Sequence, residues 1–119
     1  MQIVSVPAEA MVDPALNLTS IVERHASDTS NPVLYRWQMS PGNWQDIHAH
    51  QFHDMVVSVA KGLIAHGVKP GDRIGIMSRT RFEWALIDFA IWYAGAISVP
   101  IYETNAPAQV AWALSHSEA

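Results

Sequence analysis

The most hydrophobic segment of the chain, residues 80–102, limits most strongly what this sequence can fold into. It reads TRFEWALIDFAIWYAGAISVPIY, and Asp88 is the only charged residue between Trp84 and Tyr102. As one helix, residues 84–101 would extend about 27 Å, close to the hydrocarbon thickness of a bilayer. Length alone therefore allows either a membrane span or a buried helix followed by a strand.

Three features favour the buried helix and strand. An Asp at the position of Asp88 costs about 2.5–3.5 kcal/mol at the centre of a membrane. Gly95 interrupts the run, and the β-branched residues around Pro100 are typical of a short strand. Thr80 followed by Glu83 predicts a capping box at the start of the helix. We therefore expect no transmembrane span.

Composition limits the classes of protein to which the chain can belong. Its 119 residues amount to one domain or part of one, and 50% hydrophobic with 15% charged residues can fill a core. A net charge of −4 with scattered Lys and Arg provides no basic surface for nucleic acid or anionic lipid. The absence of cysteine excludes disulfides and thiolate metal sites and favours a cytoplasmic location.

The opening residues differ from the rest of the chain. MQIVSVPAEAMVDPA lacks the basic and long apolar regions of a signal peptide. We expect residues 1–15 to form an extended lead-in and residues 16–119 to form the folded part.

Periodicity within residues 16–65 predicts helix, strand and helix in turn. Asn17 is placed to cap a first helix in NLTSIVERHASD, and NPVLYRWQM predicts a strand that ends at a Pro41–Gly42 turn. Asn43 and Asp46 form a predicted capping pair for the second helix, which Gly67 would end. The second helix carries a sustained apolar stripe: Phe52, Met55, Val56, Val59, Ala60, Leu63 and Ile64.

The second half of the chain continues the alternation. RIGIMS predicts a strand, AISVPIY predicts another after the residue-80 helix, and Pro107 suits the first turn of a final helix. This order predicts an α/β fold with βαβ layers, parallel strands and a right-handed crossover. The residue-80 helix is apolar nearly all round and needs cover on more than one side. The short elements cover it poorly, and the pattern calls for a further strand, so we expect an incomplete part of a larger domain.

Histidines are the first candidates for a chemical site. HAHQFHD places His50 on the same helical face as His53 and Asp54, whereas His48 points away from His50. A metal site needs three or four converging ligands, so this pattern is more typical of a polar helix face.

A glycine-rich loop is the second candidate. GVKPGDRIG has glycines at 67, 71 and 75, which is the spacing of neither common phosphate-binding motif. No helix N-terminus follows the loop directly, and we expect Lys69 to be exposed. A turn into a strand is the favoured interpretation.

Charged residues at the start of the apolar helix are the third candidate. Arg79, Arg81, Glu83 and Asp88 cluster where a strand ends, which is where open α/β sheets bind ligands. Ion pairs at a helix start are more often structural. An Arg81–Asp88 bridge would need long side chains, and Asp88 is also placed to meet a polar group on another element.

Aromatic residues and serines add no site. Trp84, Trp92 and Tyr93 fall within the apolar helix, which favours core packing over stacking on bases. No serine lies in a G-x-S-x-G motif. The residues alone therefore give no catalytic, cofactor-binding or metal-binding residue.

Three consecutive segments resemble the long-chain fatty acid–CoA ligases of the adenylate-forming, or AMP-binding, superfamily. GVKPGDRIGI is similar to the superfamily's common turn and strand, and EWALIDFAIWYAGAISVPIYET is similar to the long-chain branch, above all to actinobacterial-type members. NWQDI stands where the family has Thr-Trp/Tyr-x-Glu-Leu, with Asn43 and Asp46 as departures. The resemblance implies that residues 16–119 are the first part of the large N-terminal AMP-binding domain.

The resemblance implies a two-step reaction for the full-length enzyme. A fatty acid would attack the α-phosphate of ATP to give an acyl-adenylate and pyrophosphate, and the thiol of coenzyme A would then displace AMP. Mg²⁺ and cationic groups would stabilise the phosphate charge. The implied partners are the fatty acid substrate and the remainder of the same enzyme, and a lipid-like substrate is compatible with peripheral membrane association.

The family's functional motifs are absent from these 119 residues. No Thr-Ser-Gly-Thr-Thr-Gly phosphate loop occurs, and the ribose-binding Asp, the hinge and the catalytic Lys come later in such proteins. We therefore expect a structural segment that is inactive alone and binds no ATP, Mg²⁺ or coenzyme A by itself. Two alternatives remain open: a short stand-alone interaction module, or an adenylating enzyme for an aryl or amino acid.

Overall fold

The computed structural model describes residues 13–119, so residues 1–12, most of the predicted lead-in, lie outside the described part. Four helices and four strands lie there, with two strands in succession between the first two helices, and this mixture confirms the α/β class. In chain order they are α1 (Leu18–Ala26), β1 (Val33–Ser40), β2 (Asn43–His48), α2 (Ala49–Ala65), β3 (Arg73–Met77), α3 (Phe82–Tyr93), β4 (Ile97–Ile101) and α4 (Pro107–Ser117).

The N-terminal elements include an antiparallel hairpin that the sequence pattern only half predicts. Asn17 caps α1 by accepting the N–H of Ser20, as expected. β1 and β2 pair on either side of a tight turn in which Gly42 has a φ of 78°. Such a left-handed backbone is one that glycine adopts without strain.

The predicted capping pair of Asn43 and Asp46 is wrong. Both residues belong to β2, and α2 begins only at Ala49 after a His48 N-cap whose side chain makes no capping bond. The cause is the antiparallel pairing of β2 with β1. Their hydrogen bonds hold residues in a strand that a local pattern assigns to the start of a helix. Asp46 is used across the hairpin, where its carboxylate accepts a hydrogen bond from Arg36 at 2.9 Å.

β3 and β4 form the parallel pair that the βαβ pattern predicts, with α3 as the crossover. Gly95 ends α3 with a φ of 76°, and its Cα lies so close to Pro70 that an added Cβ would approach that ring to 3.2 Å. The Gly71 N–H donates to the Gly95 carbonyl at 2.8 Å and ties the two strand entries together. Pro107 occupies the first turn of α4, as predicted.

The predicted capping box at Thr80 is also wrong. α3 begins at Phe82 with Arg81 as its N-cap, and no side chain caps it. Glu83, which a capping box would turn back to the N-cap backbone, instead accepts two hydrogen bonds from the Arg81 guanidinium. Two hydrogen bonds between oppositely charged groups are stronger than the single bond that the carboxylate would accept from a backbone N–H, so the Arg81 guanidinium takes the carboxylate.

The core surrounds α3 on two sides, as its nearly uniform apolarity requires. One side packs on α2 and the hairpin, where Phe52 and Val56 are fully buried. The other side packs on the parallel strands through Ile91 and Ile76. Trp84 and Tyr93 are partly buried against these two clusters, which confirms the core-packing interpretation for both. Because both clusters contact α3, this helix joins the hairpin to the parallel sheet.

Within residues 13–119, no helix is both long enough and apolar enough to cross a membrane. α3 has 12 residues and ends where Gly95 turns the chain into β4. The hydrophobic segment 80–102 therefore contains a helix followed by a strand, as the sequence predicts.

Candidate functional site

A cleft in the described part of the chain has a volume of about 1040 Å³. One wall is the β1–β2 hairpin, including Trp37 and Trp44, and the other is the turn from β3 into α3, including Arg79 and Arg81. β3 runs toward this turn, so the cleft opens at the carboxyl end of a parallel strand. Open α/β sheets bind ligands at this end of their strands.

Aromatic packing sets the distance between the two walls. The ring of Phe82, the first residue of α3, lies 5.6 Å from that of Tyr35 and 5.9 Å from that of Trp37. Phe82 also meets Phe52 of α2 at 6.1 Å. Edge and offset contacts at these spacings are favourable, so the hairpin is held against the start of α3 by its aromatic face.

Most of the charged side chains at the mouth of the cleft are paired with other side chains of the protein. The hydrogen bonds from Arg81 hold the pKa of Glu83 below its usual value, and the same pair raises the pKa of Arg81. Arg79 is exposed and has no ion-pair partner within residues 13–119. The arrangement can attract an anion weakly through one arginine, but it builds no complete binding site.

Asp88 lies deeper, on the buried face of α3. It is 7% exposed, and its Oδ1 has no hydrogen-bond partner within residues 13–119. Burial raises the pKa of Tyr35, and the negative charge of Asp88 raises it further. The expected polar partner on another element is therefore missing for Oδ1, and Arg81 pairs with Glu83 instead of bridging to Asp88.

The histidines at the start of α2 have separate local partners. His48 Nδ1 lies 2.8 Å from the Asn31 carbonyl oxygen, and His53 Nδ1 lies 3.5 Å from Asp54 Oδ1. Residues 13–119 contain no group of three or more His, Asp or Glu side chains arranged to hold a metal ion. Mg²⁺ is usually held by one or two carboxylates together with phosphate oxygens, and the carboxylate at the mouth of the cleft, Glu83, is already paired with Arg81.

The glycine-rich loop uses its backbone donors internally. The Lys69 N–H donates to Asp72 Oδ2 at 2.8 Å, and the Gly71 N–H is bound to Gly95. The Lys69 side chain is exposed, as predicted, and the loop leads into β3 without a helix N-terminus. These residues do not form a phosphate cradle, because the donors that would contact a phosphate are already occupied.

Sequence reasoning missed the hairpin wall of the cleft. It placed residues 43–46 at the start of a helix, so Trp44 was not seen to face the residues that follow β3. The signal that could have found it is the Pro41–Gly42 turn, which two extended segments flank.

A family model described as AMP-binding enzyme matches residues 22–119. A long-chain-fatty-acid–CoA ligase of Mycobacterium bovis is 42% identical over 119 residues, which is 100% of this chain and 20% of that protein. The chain thus spans about one-fifth of the length of this relative.

Solved structures share the fold. A fatty acid AMP ligase from Legionella pneumophila superposes with a TM-score of 0.75 at 22% identity over 85% of this chain and 18% of that one. The N-terminal subdomain of NpsA from Klebsiella oxytoca gives 0.74 at 17% identity over 86% of this chain and 25% of that one. At these identities the likeness concerns the fold alone.

Proposed function

This chain belongs to the AMP-binding enzyme family, and we propose that it forms the N-terminal segment of a long-chain fatty acid–CoA ligase. The observation that carries the proposal is the 42% identity to the Mycobacterium bovis ligase, which extends over all 119 residues. In this division residues 1–15 are a lead-in, and residues 16–119 are the first part of the AMP-binding domain.

The full-length enzyme would activate a fatty acid in two steps. The carboxylate attacks the α-phosphate of ATP, which forms an acyl-adenylate and releases pyrophosphate. The thiol of coenzyme A then attacks the acyl carbon, and AMP leaves. Activation is needed because a carboxylate is a poor acyl donor, and Mg²⁺ would offset the phosphate charge. No step is assigned to a residue of this segment, because its described residues form neither a metal site nor a phosphate cradle.

The role that follows for this segment is structural. α3 holds the hairpin on one side and the parallel strands on the other, and so fixes the cleft at the end of β3 relative to the sheet. Several large apolar side chains are still exposed, among them Tyr102 at 80% and Trp112 at 65%. Such surface supports packing against the rest of a larger domain.

The proposal is tested by measuring the adenylation step in a chimera. In this chimera, the segment replaces the matching fifth of the Mycobacterium bovis ligase. We expect ATP–pyrophosphate exchange that depends on added fatty acid in the chimera, and no exchange above buffer from the 119-residue chain alone. A folded chimera without exchange would contradict the proposal that this segment belongs to a fatty acid–CoA ligase. Exchange by the isolated chain would show that the segment is not merely structural.

The alternatives give different results in simple measurements. An enzyme for another acid would exchange with aryl or amino acids and not with fatty acids, so the assay includes all three classes. A stand-alone interaction module would form a discrete heteromeric complex in pulldown and size-exclusion experiments with the isolated chain. The cysteine-free composition supports a cytoplasmic location, and a lipid-like substrate would bring the enzyme to a membrane surface.

A further inference from the structure

Asp88 is the one charged residue of α3 that the described part of the chain buries. It is 7% exposed, and its Oδ1 has no hydrogen-bond partner within residues 13–119. Residues three or four positions away on a helix share its face, and two of these, Trp84 and Ile91, pack in the cluster of the parallel strands. The Asp88 carboxylate therefore lies toward the side of α3 that packs on β3 and β4.

A carboxylate in such a place needs a partner of defined chemistry. Buried polar groups in proteins are nearly always hydrogen-bonded, because leaving one without a partner costs free energy. For a buried negative charge, the partner that offsets this cost best is a cation that also donates hydrogen bonds. The side chain expected opposite Asp88 is therefore a lysine or an arginine.

This chain does not supply such a cation. It has seven Lys and Arg residues, and all of them lie within residues 13–119. Three are paired elsewhere: Arg36 with Asp46, Arg73 with Glu118 and Arg81 with Glu83. The other four are exposed: Arg24, Lys61, Lys69 and Arg79. Because residues 1–12 contain neither Lys nor Arg, the partner is not one of this chain's own lysines and arginines.

The Tyr35 hydroxyl is the neutral donor to consider. Burial raises the pKa of Tyr35, and the negative charge of Asp88 raises it further. The Tyr35 ring packs against Phe52 and Phe82 at 4.8 and 5.6 Å, and its hydroxyl makes no hydrogen bond to Asp88 Oδ1. The charge of Asp88 thus acts on Tyr35 without being neutralised by it.

We propose that, in the longer protein, a lysine or arginine from outside this segment donates to Asp88 Oδ1 and forms a buried ion pair between α3 and the rest of the enzyme. This inference rests on the proposed function, because the chain spans one-fifth of the Mycobacterium bovis ligase. Apolar side chains on both parallel strands are still exposed, with Met77 at 48% and Ile97 at 51%, which supports packing of the rest of the enzyme on this side. The ion pair makes the fit between the two parts depend on matched charges.

Substitutions at Asp88 in the chimera test this ion pair. Removing one member of a buried pair leaves the other charge buried and unpaired, which is strongly destabilising. We expect Asp88→Ala, and equally Asp88→Asn, which keeps the size but not the charge, to lower the urea midpoint of the chimera by about 1 M. The matched controls are Asp54→Ala and Asp54→Asn on the exposed side of α2, which should change it by less than about 0.2 M. In the 119-residue chain, Asp88→Ala should raise the midpoint, so the sign of the effect reverses between the two proteins.

A series of double substitutions identifies the partner. Each Lys and Arg outside the segment is replaced with Met, with and without Asp88→Ala. At the partner, the two substitutions together should lower the midpoint by clearly less than the sum of the single effects.

Four results would overturn the proposal. The first is a chimera that Asp88→Ala leaves as stable as the parent. The second is an Asp88→Asn chimera with the parent's stability, which would indicate a neutral donor. The third is a series in which no Lys or Arg is coupled to Asp88. The fourth is a 119-residue chain that Tyr35→Phe and Asp88→Ala destabilise equally, because Tyr35 would then be the partner.

A chimera that does not fold is replaced by a mixture of the 119-residue chain with the remaining four-fifths of the relative. Asp88→Ala should weaken the association of the two parts about 100-fold, and Asp54→Ala should weaken it less than about threefold. Equal binding by the parent and Asp88→Ala chains, or no binding by the parent, would overturn the proposal.

Acyl-CoA formation is assayed on the same samples. An active protein whose stability does not depend on Asp88 contradicts the ion pair alone. An inactive protein in which Asp88 is coupled to a cation contradicts the ligase proposal alone.

Discussion

Asp88 has an acidic side chain in a buried environment that does not satisfy all of its hydrogen-bonding groups. It is 7% exposed, and one carboxylate oxygen has no partner within the described part of the chain. An unsatisfied buried polar group costs free energy that a solvated one does not. A charge in this position is therefore a source of instability in the isolated segment.

Replacing Asp88 should stabilise the isolated chain. We expect Asp88→Ala to raise the free energy of unfolding by about 1 kcal/mol, because the unpartnered oxygen is removed and alanine favours the helix. Urea unfolding measures the change. The control is Asp54→Ala on the exposed side of α2, which should stay within about 0.5 kcal/mol of the parent. A less stable Asp88→Ala variant would show that this carboxylate has a partner.

Glu83 should make stability depend on pH in a defined direction. Its pKa is lowered by the hydrogen bonds from Arg81. A carboxylate with a lowered folded-state pKa stabilises the protein above its unfolded pKa, and this contribution is lost as the pH falls through the folded value.

Glu83→Gln should therefore lower the free energy of unfolding at neutral pH by up to about 1 kcal/mol and have no effect at strongly acid pH. Urea midpoints over this pH range provide the measurement, and Glu103→Gln, exposed in the loop before α4, is the control. An equal loss at both ends of the pH range would exclude the ion pair as the cause.

At the scale of elements, the sequence predicts which helices and strands exist better than it predicts where they begin. The apolar stripe of α2 and the uniform apolarity of α3 are local patterns, and both helices form. The start of α2 was misplaced because β2 exists only through its pairing with β1, which a local window does not contain. The start of α3 was misplaced because Arg81 takes the Glu83 carboxylate.

The cleft was harder to predict than the elements that form it. The wall formed by the turn from β3 into α3 can be predicted because it lies at the end of a strand, and the sequence pointed to Arg79 and Arg81 there. Its hairpin wall depends on the contacts of Phe82 with Tyr35 and Trp37, which join residues far apart in the chain. Aromatic composition predicts core packing but does not specify which rings meet.

Gly75 tests how closely α4 lies over β3. An added Cβ would lie 2.8 Å from Leu114 Cδ2, so Gly75→Ala should cost about 1–3 kcal/mol of stability as the helix or the leucine shifts. Chemical unfolding measures this cost, and Leu114→Ala in the same chain should reduce it.

Gly62→Ala is the matched control for this substitution. Gly62 lies inside α2, and an added Cβ there meets no atom within 4 Å. The control should be stabilising by about 0.5–1 kcal/mol, because alanine is a better helix former than glycine. If Gly75→Ala were as harmless as the control, α4 would not lie over β3 as described.

At the scale of the whole molecule, the described residues form a connected core, but some apolar side chains around it remain exposed. α3 is covered by α2 and by the parallel strands, yet Ile87 on this helix is 38% exposed and Ile97 at the start of β4 is 51% exposed. The chain spans about one-fifth of the length of the Mycobacterium bovis ligase. Family membership, fold and exposed apolar surface are together consistent with one part of a larger catalytic domain.

The most direct measurement is acyl-CoA formation by the chimera when it is supplied with a long-chain fatty acid, ATP, Mg²⁺ and coenzyme A. Our account predicts acyl-CoA together with AMP and pyrophosphate from the chimera, and no product from the 119-residue chain. A folded chimera that forms no acyl-CoA from any fatty acid, or product from the isolated chain, would contradict it.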